Sequence, residues 1–340
     1  MDVLISGAGI AGPALAYWLA RFGFSPTVVE RAPSLRPGGQ AVDFRGEAHL
    51  SVLRWMGVLD AVLAAQTSPR DMVFRDPDGR ERARLPAWFT GGEVEILRGD
   101  LSGLLYEASC SDAEYVFGDW ITSLHDDGAG VDVTFAHGRS RRFGFVIGAD
   151  GMRSGVRRLV FPSYRPKFQG YYFATWDADG DDRDLVCAPG VTSAPGWLMF
   201  KSSVPPELMP YELIAPGIYF DSISQVRMPM VSSGRVTLIG DAGYGSTLGG
   251  MGTGLSVVSA YVLAGEMAAG EGAFARYEAL IGPYARGCQG NPGPPLAPAT
   301  RLGMWVRDKM FGLLPKIPMV ARFDLRAATA IKLPEYAAVR

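Results

Sequence analysis

A chain of 340 residues, 48% hydrophobic and 20% charged, has enough apolar material for a large core or for two domains. Its net charge of -2 excludes the basic excess of a nucleic-acid binder. Three cysteines without a CxxC pair (Cys110, Cys187, Cys288) fit a reducing compartment better than a disulfide framework, and His49, His125 and His137 show no metal-ligand spacing, so no metal is expected.

Val3 to Ser6 reads as a short buried strand, Gly12 to Phe22 as a helix with Ala14, Leu15, Leu19 and Phe22 on its apolar face, and Thr27 to Glu30 as a second strand. The opening is therefore a βαβ unit, with Gly7-x-Gly9-x-x-Gly12 between its first strand and its helix, the context that gives this pattern meaning. Gly7 permits a tight turn, Gly9 lets a pyrophosphate approach the backbone, and Gly12 lets helix and strand pack closely. The helix start offers free N–H groups and partial positive charge to phosphates, so Gly7, Gly9, Ala11 and Gly12 are candidate cofactor residues. Glu30 can accept hydrogen bonds from a ribose diol, each worth about 1.5–3 kcal/mol, and it repels a 2′-phosphate. The combination points to FAD or NAD rather than NADP as the bound dinucleotide.

Residues 47–66 read as a helix broken at Gly57, and residues 71–85 as a hairpin turning at Pro77-Asp78-Gly79. Residues 98–109 have helical periodicity and open on Arg98, which can fork onto phosphate or ribitol oxygens or pair with Asp100 at the surface. Residues 130–150 give two strands around a His137-Gly138 turn, the second running to Gly148. Gly148-Ala149-Asp150-Gly151 follows, and Asp150 can cap a helix.

Between about 160 and 230, prolines, aromatics and short alternating runs indicate a mostly antiparallel sheet inserted after the first nucleotide-binding part. Residues 234–267 return to a buried strand ending in Gly240-Asp241, then glycines, then a long apolar helix. Asp241 can accept from a ribitol hydroxyl. The backbone from Gly250 to Gly254, with Gly252 and Gly254 as candidate contacts, would face the pyrimidine edge of a flavin, where a helix start favours the negative charge of the reduced ring. This stretch is too broken by glycine to span a membrane. The tail from 301 to 340 reads as helical with breaks at Pro315 and Pro318. It is basic, and is expected to pack back on the protein with a solvated basic face rather than to lie on a membrane surface.

A ligand that begins at Gly7 and reaches a second strand–Gly-Asp–helix element more than 200 residues later suits FAD. With these three ordered motifs the chain resembles the group A flavin-dependent aromatic hydroxylases, of the para-hydroxybenzoate hydroxylase type. Through "GMGTGLSVVSAYVLAGEM" and the terminal "AIKLPEY" it resembles the actinobacterial and tetracycline-inactivating monooxygenases among them. The resemblance implies an α/β fold: a Rossmann-like FAD-binding domain from residues 1–160 and 231–300 with a small sheet inserted near 67–97, a mostly antiparallel substrate-binding sheet over 161–230, and a C-terminal helical segment over 301–340. It implies bound FAD, with NADPH or NADH as a transient reductant. Glu30 and Arg31 would flank the adenosine ribose. Asp43, in "GGQAVDFRG", and Arg98, in "EILRGDL", would touch the flavin or its linker, Asp150 would serve both FAD and the passing reductant, and Asp241 would hold the ribitol.

The function so implied is a monooxygenase that uses NAD(P)H and O2, through a flavin C4a-hydroperoxide, to hydroxylate an aromatic or polyketide-like small molecule. The cofactor carries the hard chemistry, so no catalytic side chain is named. The middle sheet would supply a dry pocket, with Phe200, Phe220, Met228 and Met230 as lining or core residues and Tyr244 as a site or packing aromatic. The sequence departs from the family at Gly243, Tyr244, Thr247 and Leu248, at Ser259 in place of an aspartate, and in a short connection, "FKSSVPPELMPYELIAPGIYF". These changes are expected to reshape the substrate site. They keep two rivals open: a flavin oxidase or dehydrogenase without oxygen transfer, and a catalytically silent flavin-binding protein. A cytoplasmic location is expected, with no leader peptide, no membrane span and no nucleic-acid partner.

Overall fold

The computed structural model describes residues 1–68, 71–87, 92–176, 184–194, 197–202, 218–247, 251–289, 296–313 and 331–336. The opening unit is β1 (Asp2–Ser6), α1 (Ala11–Arg21) and β2 (Ser25–Glu30). β1 lies between β2 and β11 (Phe145–Gly148), and both pairings are parallel. β18 (Val236–Leu238) adds to β11 and β7 (Glu114–Phe117) to β2, again parallel. The short β17 (Ser232–Ser233) closes the edge in antiparallel sense, giving the order β17-β18-β11-β1-β2-β7. Val3, Leu4 and Ile5 are fully buried, because a parallel sheet is covered on both faces; this is why the strand is a continuous apolar run.

Four of these strands deliver a motif at their carboxyl ends: Gly7 after β1, Glu30 at the end of β2, Asp150 after β11 and Asp241 after β18. In an open parallel sheet the ligand crevice lies along that edge. Behind it, α7 (Gly252–Ala268) is buried from Gly254 to Met267 without a polar face and packs against α1. Among the described residues no helix is long and apolar enough to cross a membrane. The break at Gly57 separates α2 (Gly46–Trp55) from α3 (Leu59–Ala64), with φ +73° at the glycine. α4 (Arg98–Ser109) packs on α1.

The structure changes three expectations. The strand read from about 140 to 148 is two strands in different sheets: β10 (Arg141–Phe143), with β9 (Val131–Phe135) and β8 (Ile121–Asp126), and then β11. Gly144 divides them, donating to the Asp2 carbonyl at 2.9 Å where a Cβ would lie 2.8 Å from Met1 Cγ. The hairpin β4 (Met72–Arg75) and β5 (Glu81–Leu85) makes no small sheet of its own. It extends the middle sheet through a parallel pairing of β4 with β13 (Leu185–Ala188), and its inward Phe74, Ala83 and Leu85 share a core with Leu185 and Cys187. The full order is β16 (Tyr219–Gln225), β12 (Lys167–Thr175), β15 (Trp197–Lys201), β14 (Val191–Ala194), β13, β4, β5. The small sheet is instead β3 (Ala41–Phe44) with β6 (Val94–Leu97).

The tail is the third. Its helix, α9 (Arg301–Leu313), packs on the middle sheet, while Pro315 and Pro318 lie outside the described residues. Residues 331–336 are not helical: Tyr261 donates its hydroxyl to the Pro334 carbonyl at 2.8 Å, and Tyr336 donates to Glu266 Oε1 at 2.7 Å across Gly265, where a Cβ would overlap the Tyr336 ring. The helix that Asp150 was expected to cap is α5 (Gly155–Val160), and two helices have no counterpart in the sequence reading: α6 (Asp241–Tyr244) and α8 (Ala273–Gln289).

Candidate functional site

At one end of the crevice, Glu30 is half-buried and each of its oxygens accepts a backbone N–H, from Ala8 and from Ala32, both at 2.8 Å. These bonds aim the carboxylate along the glycine turn and leave lone pairs for a diol. Arg31 beside it is exposed, with its guanidinium 4.8 Å from the centre of the Trp120 ring. The glycines behave as their spacing requires. Gly7 has φ +109°, with a Cβ position 2.6 Å from the Ala149 carbonyl oxygen. A Cβ on Gly12 would overlap the Gly7 carbonyl oxygen. One anchor was not legible: Ser102 of α4 donates to the Gly9 carbonyl at 3.1 Å, across 93 residues of chain.

Arg98 joins the two ends. Its Nη2 lies 3.4 Å from the Cβ position of Gly9, and its charge acts on Asp241. Among the described residues it forms no ion pair with Asp100. Asp241 Oδ1 in turn lies 3.5 Å from the Cβ position of Gly252, and Gly240 before it (φ +54°) has a Cβ position 3.0 Å from Ala11 Cβ. Asp241 is open to solvent and yet ringed by protein, as a group lining a recess must be. Burial pushes its pKa up, opposed by Arg98 and Arg157.

Asp150 caps α5 in part: its Oδ2 accepts from the N–H groups of Gly155 at 2.7 Å and Val156 at 3.1 Å. Its Oδ1 is buried without any hydrogen-bond partner among the described residues. Burial raises the pKa of this carboxylate too. Arg157, 2% exposed, donates to the carbonyls of Ala242 (2.7 Å) and Met152, so it clamps the Asp150 loop to the Asp241 turn.

Asp43 stands apart. Its Oδ2 accepts from Arg45 Nε at 2.7 Å, and it contacts neither Arg98 nor Asp241 among the described residues. Arg45 N–H donates to His49 Nδ1 at 3.1 Å, so that nitrogen carries no proton and Nε2–H donates to the Tyr284 hydroxyl at 2.6 Å. The His49 ring fills the space that a Cβ on Gly254 would take, behind the start of α7. Burial first, then Arg45, pull the His49 pKa down to about 4. The sign follows: above pH ~6.5 the ring is neutral in both folded and unfolded chains and costs nothing, and as pH falls toward ~4 only the unfolded chain takes up a proton. Stability should drop by up to about 3 kcal/mol over that window. His49→Gln, which can keep both bonds, is expected to flatten this limb; urea unfolding of both proteins between pH 7 and 4.5 checks it, and parallel curves would contradict it.

On the sheet side the groove meets β16. Tyr219 donates its hydroxyl to Asp221 Oδ2 at 3.2 Å, and Arg153, from the Asp150 loop, donates to Asp221 Oδ1 at 2.7 Å. Burial and then Asp221 raise the Tyr219 pKa, while Arg98 and Arg153 oppose the rise. The residues that the sequence offered as pocket lining or core lie in different surroundings. Phe220 alternates to the other face, stacking on Tyr172 at 5.4 Å, and with Phe200 it belongs to the cluster there. Met228 packs against the main core and Met230 is exposed. Tyr244 is a packed aromatic, 9% exposed. Ser259 is fully buried in α7 and bonds back to the Leu255 carbonyl.

A parallel sheet that presents an acid and a glycine turn at one end of its carboxyl edge and two further acids along it defines a dinucleotide-binding protein. Residues 1–202 match the family model described as "FAD binding domain". A flavin-dependent monooxygenase from an unknown prokaryotic organism is 33% identical, with 98% of each chain covered. That alignment spans 394 positions, so the relative has stretches this chain lacks. An uncharacterised protein of Mycobacterium tuberculosis is 41% identical over 82% of this chain and 88% of its own. The solved structure of the tetracycline destructase Tet(55) is 32% identical, with 98% of each chain covered and a TM-score of 0.78. The chain belongs to the FAD binding domain family of flavin-dependent monooxygenases, and is an oxidoreductase with FAD as its cofactor.

Proposed function

We propose that FAD lies extended along this crevice and that the protein uses NAD(P)H and O2 to hydroxylate an aromatic or polyketide-like small molecule. The adenosine would sit at Glu30 and Arg31, the pyrophosphate over Gly7, Gly9, Ala11 and Gly12, and the ribitol at Arg98 and Asp241. The flavin ring would lie against Gly252 and Gly254. The observation that carries this reading is Arg98: one guanidinium lies against the glycine turn at Gly9 and its charge acts on Asp241, two elements more than 200 residues apart.

The chain fits the cofactor in two further respects. Asp150 holds a buried oxygen that lacks a partner among the described residues, a costly arrangement unless a ligand donates to it. Gly9 leaves open the space that a phosphate needs. Asp43 would act through Arg45 rather than directly.

Bound FAD supplies the electron-transfer and oxygen-activating chemistry. The chain's own residues bind, orient and exclude water. In this reading residues 1–160 and 231–300 hold the cofactor, and the sheet over 161–230, joined by the 72–85 hairpin, faces the substrate. Phe173 and Ile223 are buried with Met199 and Ala297 and back this sheet face, on which Tyr219 and Arg153 would be the polar contacts. A relative named for tetracycline destruction supports a fused-ring substrate. A cytoplasmic location completes the reading; the free cysteines Cys110, Cys187 and Cys288 support it.

The test is turnover under isotopically labelled O2 with NADPH and a panel of polycyclic phenols. One labelled oxygen in the product is expected. Oxidised product without label would make the protein an oxidase or dehydrogenase, and no nicotinamide-driven flavin reduction would make it a silent binder. In the same assay Asp221→Ala releases Arg153 and Tyr219. Arg153 is 70% exposed in its side chain, so its ion pair adds little stability and its role is orientation. The expected result is KM raised roughly tenfold, the cost of one lost charge-assisted bond. Less product should form per NADPH, at unchanged FAD content. Unchanged coupling would remove β16 from the substrate site.

A further inference from the structure

Helix α9 turns its two sides to different surroundings. Inward, Met304, Met310 and Phe311 meet the core of the middle sheet. Arg307, 1% exposed, lies over the Phe74 ring at 5.0 Å and donates to the Leu296 carbonyl at 2.6 Å. Outward, Leu302, Trp305, Val306 and Leu313 are 71%, 58%, 51% and 58% exposed. Their spacing puts them in one stripe along the helix. No other helix among the described residues exposes four large apolar side chains.

Three cations, Arg301, Arg307 and Lys309, outnumber the one acid of this helix. Lys309 is exposed within the stripe and Arg301 is exposed on its flank, while Asp308, on the same flank as Arg301, accepts from Arg307 at 2.6 Å. The sequence suggested a solvated basic face. The structure gives an apolar stripe with Lys309 within it and Arg301 on one flank.

We propose that this face of α9 docks on an anionic lipid surface. Tryptophan and branched apolar side chains enter the headgroup boundary, and long cationic side chains reach up from the same depth to phosphates. The chain as a whole is acidic, so the attraction comes from this patch and not from net charge. A second copy of the chain fits the face less well. Thirteen residues make a helix about 20 Å long, and such a stripe covers far less than the roughly 800 Å² per partner of a stable dimer. Antiparallel pairing would also bring Arg301 of one copy toward Lys309 of the other. A lipid surface sets no minimum area and supplies the complementary charge.

The test is flotation of the full-length, FAD-loaded protein with phosphatidylcholine vesicles, with and without phosphatidylglycerol. Binding only to the anionic vesicles is expected, weakening as salt is raised. Trp305→Ser should abolish it, and R301E combined with K309E should lower the bound fraction at least tenfold, about what reversing two surface cations does. Unchanged flavin content shows that the variants fold. No flotation with phosphatidylglycerol, or equal flotation of the charge-reversed protein, overturns the proposal. So does a concentration-dependent dimer, seen by light scattering, that Trp305→Ser disrupts, since the occupant is then a second copy.

Discussion

Alanine at Gly12 is expected to leave the purified protein without bound FAD and with a melting temperature lower by several degrees. Helix propensity alone predicts the opposite, because glycine to alanine inside a helix gains about 0.5–1 kcal/mol. Packing outweighs it here. The new Cβ would lie 3.0 Å from the Gly7 carbonyl carbon and nearer still to its oxygen, and both are backbone atoms. Gly7 in turn is pressed against Ala149, so the turn has nowhere to retreat. Overpacking of this kind costs about 1–3 kcal/mol, and here the displaced atoms belong to the phosphate turn itself. Gly103 in α4 is the control. Nothing lies within 4 Å of its Cβ position, so Gly103→Ala should raise stability by about 0.5–1 kcal/mol and leave FAD in place. Thermal melts and the flavin absorbance of both variants decide the matter. A yellow, stable Gly12→Ala protein would mean that the turn is not packed as described.

Asp241→Asn is expected to separate binding from folding. A carboxylate that accepts a ribitol hydroxyl contributes about 1.5–3 kcal/mol, so its amide should bind FAD roughly 10- to 150-fold more weakly. The apo protein should be no less stable. Burial raises the pKa of Asp241, which means that folding disfavours its charge; the folded chain therefore loses stability as pH rises from the ordinary carboxylate range through that raised pKa. Asparagine removes this cost. FAD affinity carries the reverse dependence, falling as pH drops through the raised pKa because the ionised form is the acceptor. The asparagine protein should lack that limb. Fluorescence titration of FAD across pH, with apo melts alongside, reads both. Equal losses of affinity and apo stability would assign Asp241 a structural role instead.

The ends of the crevice were legible in the sequence because their signals are local. A fully buried strand is a continuous apolar run, and where it stops the next residues stand at the sheet edge, so Gly7, Glu30, Asp150 and Asp241 could be placed strand by strand. What joins these ends depends on contacts far apart in the chain. Ser102 reaches Gly9, His49 reaches Tyr284 across 235 residues, and Arg153 reaches Asp221; no local pattern announces such pairs. On β16 the neighbours Tyr219 and Phe220 are both aromatic, and a one-residue change of register decides which of them faces the groove. The sequence offered Phe220 as lining or core; the fold stacks it on Tyr172 and sets Tyr219 on the opposite face with Asp221. The hairpin at 72–85 was recognised as a hairpin, but the strand that it adds to comes more than 100 residues later.

The central claim is that one ligand spans from Glu30 to Asp241. Calorimetric titration of the apo protein with FAD and with ADP, repeated on Glu30→Ala and Asp241→Asn, tests it most directly. ADP should compete with FAD and should lose affinity only in the Glu30 variant, whereas FAD should lose affinity in both. If ADP and FAD bind without competing, or if Asp241→Asn weakens ADP as much as FAD, the two acids do not hold opposite ends of one cofactor.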